Sequence, residues 1–179
     1  MSNFVIKNFV SKEDIKSMCE LDKKVYKPEN QVDPKICEGW YDKNPRIYTA
    51  IVSNNKIIGY INFMPITEDC YNKFKNGNMP EQGITPEDIE VMEPNKEYYC
   101  LFSSVVIDKA YQNTQAFTIL ISSFYRNLKQ HVTQNNITIK SVIADCVNKK
   151  IGEFVKNSGF KQIYKDKNYN IYEGNIFNK

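Results

Sequence analysis

Residues 98–107 read Tyr-Tyr-Cys-Leu-Phe-Ser-Ser-Val-Val-Ile, and residues 108–117 continue Asp-Lys-Ala-Tyr-Gln-Asn-Thr-Gln-Ala-Phe. The first ten form a nearly continuous β-prone run, the pattern of a strand buried on both faces. After a turn at Asp108–Tyr111, Ile119, Leu120, Phe124 and Leu128 lay an apolar stripe along a helix over about 114–132. His131 falls near the end of that helix, where a cation complements the helix dipole. Ile137–Cys146 is the next central strand.

Working outward, Asn3–Val10 reads as a first strand. Ser11 then starts a helix, with Asp14 at the third position as an acidic capping box. Asp33-Pro34 starts a second, short helix carrying Ile36, Cys37 and Trp40. Arg46–Val52 and Lys56–Phe63 flank Asn54-Asn55, the signature of a β-hairpin. Thr67–Asn76 is a short helix closed by Gly77, and Pro80–Lys96 is polar and turn-rich. Residues 67–96 thus read as a helical and loop insertion on one side of the core. Residues 149–158 form a helix with Asn148 as its cap and Gly159 past its end. Phe160–Tyr164 and Asn168–Ile176 close the chain as an antiparallel pair. With no repeat and no long linker, residues 1–179 read as a single domain.

The 179 residues are 41% hydrophobic and 25% charged, ordinary globular usage that excludes a disordered tail or a disulfide-rich miniprotein. The net charge of +3 is scattered lysine, with Arg46 and Arg126 the two arginines. A nucleic-acid binder carries a denser basic stripe, so no nucleic-acid partner is expected. No apolar stretch approaches the roughly 20 residues of a membrane span, so a membrane partner is not expected either. Cys19, Cys37, Cys70, Cys100 and Cys146 show no CxxC spacing and His131 is the one histidine, so no metal site is expected. The cysteines read as free thiols of a cytoplasmic protein.

The order of elements, together with three local matches, resembles the GNAT acetyltransferases. Ile58-Gly59-Tyr60 is similar to the Gly-Tyr of that family's third strand. Val105 to Gln112 is similar to its fourth strand and the approach to the coenzyme A loop. Asn148 to Phe160 resembles its segment ending in Gly-Phe. The resemblance implies an α/β fold: a central mixed sheet with splayed fourth and fifth strands and helices on both faces. It implies acetyl-CoA as cosubstrate. Its pantetheine arm would pair with the backbone of Val105, Val106 and Ile107, and Asn148 would reach toward it. The pyrophosphate would sit on the loop Gln112, Asn113, Thr114, Gln115, Ala116 and Phe117 at a helix N-terminus. The loop departs from the family pattern, since its two glycine positions hold Gln115 and Phe117.

The catalytic positions depart as well. The family's tyrosine acid falls at Val155 and its glutamate base at Leu101, neither of which moves a proton. Ser103, Tyr99 and Tyr172 are substitutes the sequence offers. The expected activity is an acyl-CoA-dependent N-acyltransferase: acetyl transfer to a primary amine, on a small molecule or a peptide, by direct attack in a ternary complex. The alternative is a catalytically degenerate module that keeps the cleft for a ligand or protein partner. Eight carboxylates in residues 67–97 against Lys73, Lys75 and Lys96 form either an acidic rim for a cationic amine or a solvated face.

Overall fold

A computed structural model describes residues 3–147 and 149–177. Seven strands form one sheet: β1 (Val5–Lys7), β2 (Tyr48–Ser53), β3 (Lys56–Ile66), β4 (Glu97–Ile107), β5 (Thr138–Asp145), β6 (Lys161–Lys165) and β7 (Asn170–Gly174). Their order is β1-β2-β3-β4-β5-β7-β6. β4 and β5 run parallel, and the β1–β2, β2–β3, β5–β7 and β6–β7 pairs are antiparallel. Five α-helices accompany them: α1 (Lys12–Val25), α2 (Pro34–Lys43), α3 (Glu68–Lys75), α4 (Ala116–Gln134) and α5 (Lys149–Asn157). No helix among the described residues is long and apolar enough to cross a membrane.

The chain gathers into two compact units. The first comprises the chain up to Phe63 together with Ser104–Gln130. Here the local signals act as read. Ser11 Oγ accepts the N–H of Asp14, whose carboxylate accepts the N–H of Ser11, the reciprocal capping box. Asn54 and Asn55 take φ of 49° and 60°, the left-handed pair of a tight hairpin turn. Strand β1 is shorter than the expected 3–10, because the chain leaves the sheet at Asn8 and Phe9 to reach the Ser11 cap. Tyr60 of β3 donates to Asp22 of α1, while Phe63, three residues on and so on the opposite face, packs edge-on against Phe124 of α4. Helices therefore cover both faces.

The second unit comprises Met64–Ser103 and the chain from His131 onward. Residues 67–96 are packed rather than loose. Ile84 and Ile89 are buried, Ile89 bridges to Ile66, and Thr67 donates its N–H to Asp88 O at 2.9 Å. Helix α3 is tied to the sheet by Glu173 of β7, which accepts from Tyr71 Oη, from Lys75 Nζ at 2.8 Å and from Ser141 Oγ at 3.3 Å. Burial raises the Glu173 carboxyl, but these donors win and hold it below its usual range. Gly159 ends α5 with φ +95°, a conformation L side chains avoid. All five cysteines are free and buried; burial pushes the Cys146 thiol up to about 12.

One half-buried carboxyl, Asp22, opposes folding. Asp22 rises from its ordinary 3.8 to about 6, because burial penalises its charge more than the Tyr60 hydrogen bond favours it. Between these values the folded chain holds more protons than the unfolded one. Stability therefore falls as pH rises from about 4 to about 6, by about 3 kcal/mol in all. Asp22→Asn still accepts from Tyr60. Urea melts should show it about 1–3 kcal/mol more stable than wild type at pH 8 and equal to it at pH 4. Equal stabilities at both values would contradict this account.

Candidate active site

Strand β4 carries the site. Its ladder with β5 runs from Glu97↔Thr138 to Leu101↔Ile143, and β4 continues to Ile107. Asp108 donates its N–H to Ile58 O at 2.7 Å, and Val106 O approaches Gly59. The peptide groups of 106 and 108 thus turn toward β3. Strand alternation then turns those of Val105 and Ile107 the other way. Ile107 O accepts from Gln112 Nε2 at 3.2 Å, so Gln112 folds back on the strand end. The Val105 groups and the Ile107 N–H form the outer edge.

Gly59 is what lets β3 lie this close. A Cβ there would stand 2.6 Å from Val106 O and 2.5 Å from Ile107 Cδ1. The register also shifts here, from Ile51↔Gly59 to Val52↔Ile57, leaving Ile58 as an extra residue in β3. A lone Gly-Tyr pair in the sequence hides both reasons.

The loop after β4 is built without glycine conformations. Asp108 caps a 3-10 turn over Lys109–Tyr111 by accepting from Ala110 N–H. Among the described residues with positive φ, none lies in 112–117. The missing glycines therefore cost no backbone strain; what they alter is the space open to a phosphate. Gln112 to Gln115 are exposed. Thr114 Oγ1 donates to Tyr111 O at 2.7 Å and accepts the Ala116 N–H at 3.2 Å. That hydroxyl caps α4 from outside, which is why the helix starts at 116 rather than 114. Ala116, Leu120, Ile121 and Phe124 are buried, while Phe117 is half-buried at the edge of that face. Asn148, the remaining expected coenzyme contact, lies outside the described residues.

Side chains able to move a proton lie elsewhere in the chain. Leu101 and Val155 are buried and inert, as the sequence shows. Ser103, same-facing with Leu101 on β4, donates its hydroxyl to Glu81 from the first turn after Pro80. Twenty-two residues separate them, and no spacing rule in the sequence points to the pair. Tyr99 donates to Glu68 Oε1 at 3.2 Å, stacks on Tyr71 with ring centroids 4.3 Å apart and lies under Lys140 Nζ. Its hydroxyl is committed to that cluster. Tyr172 of β7 is buried with its hydroxyl against α5: a Cβ built on Gly152 would sit 3.4 Å from it. Gly152 is three residues before Val155, so Tyr172 places its phenol near the turn of α5 that carries Val155. The acidic surplus is largely spent on structure: Asp69 pairs with Lys73, Glu93 with Lys96, and Asp88 closes on Thr85. This favours the solvated face over the acidic rim.

No family model matches the chain, and no curated protein does. Solved structures do. The loading GNATL domain of CurA from Lyngbya majuscula is 13% identical, with 97% of this chain and 98% of that one covered at a TM-score of 0.66. Naa50 of Arabidopsis thaliana, in complex with a bisubstrate analogue of coenzyme A and a peptide, is 9% identical over 96% and 98% at 0.62. The PaiA N-acetyltransferase of Thermoplasma acidophilum, in complex with coenzyme A, is 14% identical over 96% and 98% at 0.54. With its seven-stranded mixed sheet, parallel central pair and near-complete overlap, this chain has the fold of the GNAT N-acetyltransferases.

Proposed function

We propose that the chain is an acyl-CoA-dependent N-acyltransferase that passes an acetyl group to a primary amine. The observation that carries this reading is the outer edge of β4. Val105 and Ile107 direct backbone groups away from β3 beyond the last β5 pair, where an extended pantetheine arm can add as a strand. The start of α4 offers N–H groups to a diphosphate, once Thr114 releases that of Ala116. In the reaction the amine nitrogen attacks the thioester carbonyl, and the tetrahedral oxyanion is held by strand N–H groups. Glu81, held by Ser103, accepts the proton the amine sheds. The intermediate then collapses, the carbon–sulfur bond breaks, and the departing thiolate takes up a proton. Holding amine and thioester together supplies much of the acceleration. Naa50 was solved with a peptide-bearing analogue, which supports a peptide N-terminus as one form of the acceptor.

Calorimetric titration with coenzyme A tests the reading, on wild type and Phe117→Gly. Wild type should bind. The variant should bind with similar affinity while losing stability, because glycine costs a helix about 1 kcal/mol and the half-buried ring is lost. A wild type that does not bind, beside a variant that does, would mean the ring plugs the site and the chain is a binding module.

A further inference from the structure

Helices α1 and α2 form an antiparallel hairpin within the first unit, and three contacts fix its register. Lys12 at the start of α1 pairs with Asp42 near the end of α2 at 2.7 Å. Beside them, Tyr41 Oη donates to Val10 O at 3.0 Å. At the other end, Gln31 folds the connection back by donating its amide N–H to Tyr26 O at 3.0 Å. Counting inward from both ends sets Cys19 of α1 opposite the start of α2, where Cys37 lies. Both cysteines are buried, Cys19 beside Ile15 and Met18 on the inner face of α1 and Cys37 on the face of α2 that carries Trp40. There the Cys37 thiol donates a hydrogen bond to the Cys19 sulfur.

This pair differs from the other three cysteines. Burial pushes the Cys70 and Cys146 thiols up to about 12 and the Cys100 thiol well above its ordinary value, which leaves them poor nucleophiles. Cys19 moves the other way, because the hydrogen bond from Cys37 outweighs burial and holds its thiol below the ordinary value. Cys19 also lines a cavity of about 300 Å³ at the connection between the helices, which gives a small reagent an approach to it. Two thiols that already meet on packed helices have the converging side chains a disulfide needs.

We propose that Cys19 and Cys37 are a reversible redox pair, closed to a disulfide by a small-molecule disulfide and reopened by thiols. The Cys19 thiolate attacks one sulfur of the reagent, a mixed disulfide forms on Cys19, and the first thiolate leaves and takes up the proton that Cys19 shed. Cys37 then loses its proton, attacks the Cys19 sulfur and expels the second thiolate, which takes up that proton. The two protein thiols give up two electrons, and the reagent is reduced to two thiols. The new bond staples α1 to the start of α2 and holds the connection between them. The pair stands apart from the transferase reading, since neither thiol has a part in acetyl transfer.

The test incubates the native full chain with glutathione disulfide at pH 8 and blocks the remaining thiols with N-ethylmaleimide. Peptides are then mapped by mass spectrometry without reduction. A Cys19–Cys37 linked peptide is expected, absent after dithiothreitol, with Cys70, Cys100 and Cys146 recovered as blocked or free thiols. In Cys37→Ala the mixed disulfide should accumulate on Cys19. In Cys19→Ala the mixed disulfide on Cys37 should form at least about tenfold more slowly than that. No linked peptide, a link between other cysteines, a link that forms only in urea, or equal rates in the two variants would each overturn the proposal. The wild-type peptide map decides even where a variant fails to fold.

Discussion

Gly59→Ala should cost about 3 kcal/mol of stability, the upper range for forcing an added group into a packed core. The new Cβ would stand 2.6 Å from a backbone oxygen, Val106 O, as well as 2.5 Å from Ile107 Cδ1. The isoleucine tip can turn aside, but the carbonyl moves only if β3 and β4 part. For a chain of this length a loss of that size lowers Tm by about 10 °C. Because β4 would shift with it, affinity for coenzyme A should fall in the same variant. Thermal melts and titration of the folded fraction read both effects. A variant within 1 kcal/mol of wild type would show that the strands separate at little cost.

Glu81→Gln should reduce kcat by about a hundredfold or more, the range for removing a general base. Glutamine keeps the size of the side chain and still accepts the Ser103 hydroxyl, so stability should hold. The KM for acetyl-CoA should stay put, since the residue is assigned no contact with the cosubstrate. Ser103→Ala, which frees the carboxylate without removing it, should have a smaller effect. A Glu81→Gln enzyme within threefold of wild type would exclude this carboxylate as the base.

The carboxylate at Ser103 illustrates where reading along the chain stops. Ser103 is visible in the sequence as a polar residue on a central strand, and Glu81 as one of many acids in a polar stretch. Their meeting depends on how residues 67–96 fold back, anchored by Ile84 and Ile89. The loop at 112–117 shows the converse. Its lost glycines look damaging in the sequence, yet the backbone stays out of the left-handed region, so the change falls on space alone.

What the sequence by itself determined are features closed by neighbours along the chain. The Ser11–Asp14 box, the Asn54-Asn55 turn, the Gly159 helix stop and the apolar runs of β4 and β5 all need only local geometry and periodicity. Only the tertiary structure decided which strand edge stays open, why Gly59 admits no side chain, and which acids and hydroxyls meet. It also joined Asp22 to Tyr60 across 38 residues and Tyr71 to Glu173 across 102. Those contacts follow from strand order and register, and a one-residue change in register reverses which side chains face which helix.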